Sequence, residues 1–167
     1  MKVAIIGAGI SGVTTAYFLS KNNFKVTLIE GRRYPAMATS YANGGQLSAS
    51  NSEAWNSWHN VKTGLKSIVN KQHSPLIINP LPTVSKLSWL FKFMTNIRKS
   101  EKITLELCKM AIKSIDLYNN IANKENIDFD KLDKGIIHLY EDKEHTENAE
   151  NINKIYKKAG LNRYRIT

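Results

Sequence analysis

Residues 1–30 read MKVAIIGAGISGVTTAYFLSKNNFKVTLIE, and the order of events along them decides the fold. Met1 to Ile6 is a short apolar run with the composition of a strand. Gly7, Gly9 and Gly12 follow, and Ser11 to Asn22 carries apolar residues at helical spacing, with Val13, Ala16, Tyr17 and Leu19 placed to face a sheet. Asn22 and Asn23 suit the left-handed residue that often closes a helix. Lys25 to Glu30 returns as a second strand. This is the βαβ unit that binds dinucleotides: one glycine permits the turn, the next admits a pyrophosphate against the backbone, and the third lets helix and strand pack closely. Backbone amides at the helix start are then presented to phosphate oxygens without any cationic side chain, and Ala8, Ile10 and Ser11 are counted with the glycines as cofactor-binding residues.

Glu30 stands roughly 20 residues beyond the glycines, where a carboxylate accepts hydrogen bonds from the hydroxyls of an adenosine ribose. Gly31 and Arg32 continue the same turn. Arg32 and Arg33 stand where arginine can hold a 2′-phosphate, but Glu30 would repel that group, so the expected ligand is FAD or NAD rather than NADP. The two arginines read either as a solvated turn or as a contact to the adenine or pyrophosphate, and Gly31 and Arg32 are counted among the cofactor-binding residues.

At 167 residues with 42% hydrophobic content, the chain is long enough for one core and short for two ordinary domains. A dinucleotide-binding sheet needs further parallel strands, and only two are clear here. The chain stops at Arg165-Ile166-Thr167, with Arg163, Tyr164 and Arg165 read as part of a strand of the sheet, so an N-terminal piece of a longer protein is expected. The net charge is +10 and the pI about 9.7. The lysines are scattered among asparagines and isoleucines, which argues against a nucleic-acid surface and leaves a peripheral attraction to anionic lipid as an expected partner. Cys108 is the one cysteine, and with Thr104 and Ile112 on its helical face it reads as a buried, inert thiol in a reducing compartment. The strand begins at residue 2, without a leader sequence before it, and no apolar run approaches the length of a membrane span; the expected location is the cytoplasm, extending to the inner face of its membrane.

Beyond residue 30 the pattern changes. Gly31 to Asn60 is rich in Ser, Asn, Ala and Gly and predicts loop with one short helix. Pro75, Pro80 and Pro82 punctuate an extended segment. Val84 to Asn96 predicts a helix with Leu87, Leu90, Phe91 and Met94 on one side. Ser100 to Asn123 predicts a longer one, carried by Ile103, Leu107, Ala111, Ile115, Tyr118 and Ala122. Asp133-Lys134-Gly135 reads as a turn, Ile136 to Tyr140 as a strand, and Glu144 to Ala159 as a helix ended by Gly160. The expected division is residues 1–80 as the N-terminal part of a dinucleotide-binding domain and 81–167 as the start of a helix-rich second domain, with a return to the first near the C-terminus.

Thr39 to Ser48 reads TSYANGGQLS. Ser40, Asn43 and Gln46 beside the paired Gly44 and Gly45 combine side-chain donors and acceptors with close backbone approach, which suits the middle of a long cofactor. By itself the segment reads better as an Asn43-Gly44 turn between strands. Together with VAIIGAGISGVTTAYFL and VTLIE, with Ala54-Trp55-Asn56, and with LSWLFKFM and GIIHLYED, it resembles the FAD-dependent oxidoreductases of the D-amino-acid oxidase type, and within them the bacterial D-amino-acid dehydrogenase small subunits. One departure is Ala42-Asn43-Gly44-Gly45, where the family usually has Ala-Asn-Ala-Gly. The resemblance implies an α/β fold: a Rossmann-like FAD-binding domain with a parallel sheet incomplete in this chain, followed by part of an α+β substrate domain. It implies FAD as cofactor and oxidative deamination of a D-amino acid to a 2-oxo acid and ammonia, by hydride transfer from Cα to flavin N5, with oxygen, quinone or another carrier as electron acceptor. It further implies that Gly7, Gly9 and Gly12 with the amides of Ile10 and Ser11 hold the pyrophosphate. Glu30 takes the ribose, and Ser40, Asn43, Gly44, Gly45 and Gln46 line the inner pyrophosphate, the ribityl chain and a flavin edge. The residues that clamp the substrate carboxylate are expected after Thr167, and none is assigned here.

His59, His73, His138 and His145 have no metal-ligand spacing, and HExxH, CxxC, GxSxG and GxxxxGK[ST] patterns are missing. Ser11 therefore reads as a phosphate-turn residue. Trp55, Trp58 and Trp89 are expected to pack rather than to shape a pocket. The competing functional readings are a related amine oxidase of the glycine or sarcosine type, an NAD-dependent dehydrogenase, and an inactive truncated FAD-binding piece.

Overall fold

A computed structural model describes residues 1–69, 81–141 and 143–166. The chain divides into two compact units, 1–46 and 47–167. The first opens on β1 (Lys2–Ile6), crosses through α1 (Ile10–Lys21) and returns as β2 (Lys25–Ile29). The strands pair in parallel, Lys2 opposite Lys25 and Ile6 opposite Ile29. Parallel pairing requires a long crossover, and α1 is that crossover. Helix α1 ends where the asparagines predicted, with Asn22 as its cap and Asn23 in the left-handed region at φ 62°. Two bonds then fix the mouth of the unit: Gly7 N–H donates to the Ile29 carbonyl at 2.7 Å, and Ala36 N–H to the Ala8 carbonyl at 2.9 Å.

Gly12 is the tightest point in this unit. A Cβ there would sit 1.9 Å from the Gly7 carbonyl oxygen, inside any permissible contact, so the first turn of α1 lies directly against the strand-to-helix turn. Gly7 itself has φ +97°, a conformation that side chains other than glycine's rarely adopt.

The second unit is mostly helical. A 3₁₀ turn at Ala49–Asn51 precedes α2 (Trp58–Val69); α3 (Val84–Thr95), a second 3₁₀ turn at Ile97–Lys99, α4 (Ser100–Lys124) and α5 (Lys143–Lys158) follow. Helix α4 is the spine. Its buried residues are Thr104, Cys108 and Ala122; Cys108 is fully enclosed and shares its face with Thr104 as expected, whereas of the six residues that carried the predicted periodicity Ala122 alone is buried and Leu107 is 40% exposed. Around it the unit buries Ala49, Ala54, Ala149 and Tyr156. Thr104 Oγ1 also accepts the Ala54 N–H at 3.0 Å, and a buried amide left without that acceptor would cost about 1–3 kcal/mol. The ion pairs of this unit, such as Lys109–Glu106 and Lys158–Glu101, lie in solvent and are worth about 0–1 kcal/mol each. Side-chain burial along α4 therefore outweighs them.

Several expectations are corrected. Residues 136–140 form no strand among the described residues; their β-forming side chains favour an extended backbone, but a ladder needs a partner strand and none pairs with them. Residues 161–166 likewise join no sheet. Arg163 instead donates to the Tyr140 hydroxyl at 2.8 Å and lies over the Tyr156 ring, while Arg165 pairs with Glu150. Helix α2 begins at Trp58, at the end of the stretch expected to be loop with one short helix, and continues to Val69 through residues for which no element was expected. The tryptophans do not pack inside: Trp55 is 77% exposed, and Trp58 and Trp89 are also outward. The unit's core is built from alanines, a cysteine and one tyrosine, which leaves no enclosed volume for an indole. The expected turn glycines hold, with Gly135 at φ +83° and Gly160 at φ +92°. Of the proline-rich segment, Pro75 and Pro80 lie outside the described residues, as does His73.

Substituting Gly12→Ala is expected to destabilise the protein by about 3 kcal/mol or more, because a methyl group must displace backbone. Gly44→Ala, where the added carbon meets nothing within 4 Å, should cost under about 0.5 kcal/mol. Thermal unfolding of the two variants beside the parent checks both.

Candidate functional site

The first unit gathers its sequence-predicted residues at the N-terminal end of α1. Gly9 is the N-cap, and its carbonyl accepts the first helical bond from Val13 N–H at 3.0 Å. The Ile10 N–H, one of the amides that a helix leaves without an internal partner, donates to Ser40 Oγ at 3.0 Å. A Cβ on Gly9 would come within 3.4 Å of that same oxygen. Ser40, thirty residues further on, is thus held at the positive end of the helix, beside Gly9 and Ile10.

Glu30 closes the site from the end of β2. One carboxylate oxygen accepts the Ala8 N–H at 2.7 Å, the other accepts the Arg32 N–H at 3.0 Å. These backbone donors, Ala8 first and Arg32 second, hold the Glu30 carboxyl below the usual carboxylate range. Ala8 is fully buried. An ionised carboxylate has about four acceptor positions, so two backbone bonds leave Glu30 able to accept from a ligand as well.

Arg32 also donates from its guanidinium to the Met37 carbonyl, and Arg33 lies over the Tyr34 ring, 5.2 Å from its centroid. Both arginines are engaged by their own loop. Asn43 is a loop builder as well: its Nδ2 donates to the Thr39 and Ser40 carbonyls at 3.1 and 3.2 Å, and its Oδ1 accepts the Gly45 N–H at 2.7 Å. Gly45 has φ +61°. The amide of Asn43 therefore fixes the backbone that carries Ser40, while Gly44 and Gln46 remain exposed. That internal role could have been read from the Asn-Gly-Gly order, since asparagine readily bonds to the backbone two residues on.

A second polar cluster, absent from the sequence reading, lies in the second unit. A depression of about 400 Å³ is lined by Ser50, Glu53, Trp55, His59, His138 and Asn148, among others. Ser50 Oγ is 2.8 Å from His138 Nε2 and 2.8 Å from Ser48 Oγ, and the Tyr156 hydroxyl donates to the Ser50 carbonyl at 3.0 Å. Burial, and then the charge of Arg163, push the His138 imidazole below its ordinary value. Desolvation pushes the Glu53 carboxyl up, against the attraction of His59 and Arg163. Ser50 and His138 are 88 residues apart, so no local pattern could have paired them. Among the described residues no group of three His, Cys, Asp or Glu could hold a metal ion.

A family model described as FAD dependent oxidoreductase matches residues 2–167. The chain is 45% identical over 166 residues to "D-amino acid dehydrogenase 3" of Mesorhizobium japonicum, covering 99% of this chain and 40% of that protein. It is 36% identical over 145 residues to a D-amino acid dehydrogenase of Rhizobium rhizogenes, covering 84% of this chain and 34% of the relative. A D-amino acid dehydrogenase of Dechloromonas aromatica is 27% identical over 165 residues. This chain thus spans about two fifths of the Mesorhizobium relative's length. No solved structure matches.

The lowered value of His138 sets a pH dependence. The unfolded chain binds the imidazole proton more tightly than the folded one, so the contribution of His138 to stability is present above its unfolded pKa of about 6.5 and lost as pH falls from there through the folded value. His138→Gln is expected to flatten the decline in melting temperature between about pH 7.5 and about pH 5.5. An unchanged slope would place the proton-linked loss elsewhere.

Proposed function

The chain belongs to the FAD dependent oxidoreductase family, and from that membership we propose that the protein it forms oxidises D-amino acids to 2-oxo acids and ammonia with FAD as its cofactor. The substrate class rests on the likeness to relatives named D-amino acid dehydrogenase. The observation that carries the cofactor reading is the glycine turn closed by an ionised acid: a Cβ at Gly9 would come within 3.4 Å of Ser40 Oγ at the helix N-terminus, and Glu30 is fixed beside Ala8 by its backbone bonds.

In this reading the adenosine half of FAD lies on the first unit. Gly7, Ala8, Gly9, Ile10, Ser11 and Gly12 form the pyrophosphate cradle, and no cation is needed because the helix amides and dipole supply the positive end. The Ser40 hydroxyl, which accepts the Ile10 N–H, keeps its own proton to donate to a phosphate oxygen. Glu30 accepts from the ribose hydroxyls with the positions its backbone bonds leave open, while Gly31 and Arg32 hold the turn behind it. Asn43, Gly44, Gly45 and Gln46 continue the path toward the ribityl chain and the flavin edge, with the Asn43 amide keeping that backbone in shape. When bound, the flavin supplies the redox chemistry, accepting a hydride at N5 from the substrate Cα. The assigned residues orient and bind; none of them acts as acid or base in the reaction. Residues 1–80 are assigned to the FAD-binding part and 81–167 to the start of the substrate domain. Oxygen, quinone or another carrier takes the electrons onward.

The intact protein is expected to purify yellow and to bleach anaerobically with one or more D-amino acids. Glu30→Gln, which keeps the shape and removes the charge, is expected to weaken FAD retention by roughly tenfold or more, read from the free-to-bound flavin ratio after dialysis. A protein that takes up flavin but is bleached by glycine or sarcosine and by no D-amino acid would overturn the substrate class. A colourless protein that binds no flavin would overturn the whole reading.

A further inference from the structure

Two groups of opposite charge in the second unit stand at the same depression without forming an ion pair. Glu53 lines it. Its carboxyl, pushed up by desolvation, is drawn back by His59 and then Arg163, yet among the described residues no ion pair includes Glu53, His59 or Arg163. The basic nitrogens therefore stay more than 4.0 Å from the Glu53 oxygens. Neither Glu53 nor Arg163 has a role in the proposed cofactor site.

His138 and Tyr140 also line the depression, their rings stacked with centroids 6.5 Å apart. The Tyr140 hydroxyl accepts an Arg163 N–H at 2.8 Å. A phenol that accepts in this way keeps its own proton to donate, and the guanidinium behind it makes it the stronger donor. Arg163 is in turn steadied over the ring of buried Tyr156, 5.6 Å from its centroid. His138 is committed to Ser50, so the free polar ends at the depression include an acceptor, Glu53, and a donor backed by positive charge, Tyr140. Trp55, largely exposed, adds an apolar face. The volume of about 400 Å³ is that of a small-molecule site.

We propose that this depression binds the zwitterion of an α-amino acid, with its ammonium on the Glu53 carboxylate and its carboxylate on the Tyr140 hydroxyl in front of Arg163. A carboxylate partly stripped of water gains most from a charged donor. A ligand with one charge is favoured at one end and opposed at the other: a simple amine meets the field of Arg163, a simple acid that of Glu53. An α-amino acid carries both signs on neighbouring groups and leaves its side chain for the Trp55 face. A metal ion is the poorer occupant, since among the described residues no group of three His, Cys, Asp or Glu could hold one. The site is built from the charges of this unit alone and does not rest on the D-amino-acid reading.

The test is calorimetric titration of the intact protein, its flavin reduced beforehand so that no turnover adds heat, with D-alanine, L-alanine, propionate and ethylammonium. Alanine is expected to bind about tenfold or more tightly than either single-charge analogue. Glu53→Gln should weaken alanine and ethylammonium by about tenfold and spare propionate, whereas Tyr140→Phe should weaken alanine and propionate and spare ethylammonium. These opposite patterns are not what a general loss of structure produces. Binding of D-alanine alone, with a KM for its oxidation raised in Glu53→Gln, assigns the site to substrate; binding of L-alanine, with that KM unchanged, assigns it to a regulating amino acid. Either supports the proposal. Equal binding of all four probes would overturn it, as would no binding of either alanine, or variants that bind alanine like the parent. A colourless protein that still binds alanine would sink the flavin reading and leave this site standing.

Discussion

The first unit depends on one hydrogen bond, from the buried Ala8 amide to the Glu30 carboxylate at 2.7 Å. Ala8 sits where β1 has ended and α1 has not begun, so neither ladder nor helix supplies its N–H with an acceptor. A carboxylate brought back by β2 does so, and in doing so is itself held ionised and immobile. The bond requires β2 to run parallel to β1 in the observed register, because a shift of one residue would turn Glu30 to the other face. It also requires the turn to be tight, which Gly7 and Gly12 permit. The same acid therefore satisfies the fold and, in the proposed reading, keeps the lone-pair positions its backbone bonds leave open for a ligand.

The second unit solves a different problem. With alanines, one cysteine and one tyrosine as its enclosed side chains, it gains little from bulky apolar packing and relies on specific polar ties over long sequence separations. Thr104 answers Ala54 across 50 residues, His138 answers Ser50 across 88, and Tyr156 answers the Ser50 carbonyl across 106. These ties converge on the 3₁₀ turn at Ala49–Asn51 and on the depression beside it. Many of the large apolar residues described in this unit, those of α3 among them, are exposed within this chain.

Helix boundaries and turns were legible wherever the signal was local. The asparagines after α1, Gly160 after α5, and the extent of α4 follow from caps and periodicity, which depend on neighbours within one or two turns. Glycine spacing likewise revealed the cradle, and distance along the chain revealed Glu30. The failures share a cause. Ile136 to Tyr140 has strand composition, yet a strand exists only when another segment pairs with it, and composition carries no information about the partner. The tryptophans were assigned to packing by residue type, but burial depends on the volume that surrounding elements enclose.

The sequence alone determined the βαβ opening, the parallel crossover, the glycine cradle and the acid opposite it, because each follows from steric and hydrogen-bonding rules acting over short range. Tertiary structure decided what those groups are bonded to: that Ser40 reaches the helix N-terminus, that Asn43 is spent on its own loop, that Ser50 meets His138, and that α3 is left uncovered. Such pairings are set by how distant segments meet in space, and no local pattern of residues encodes that meeting.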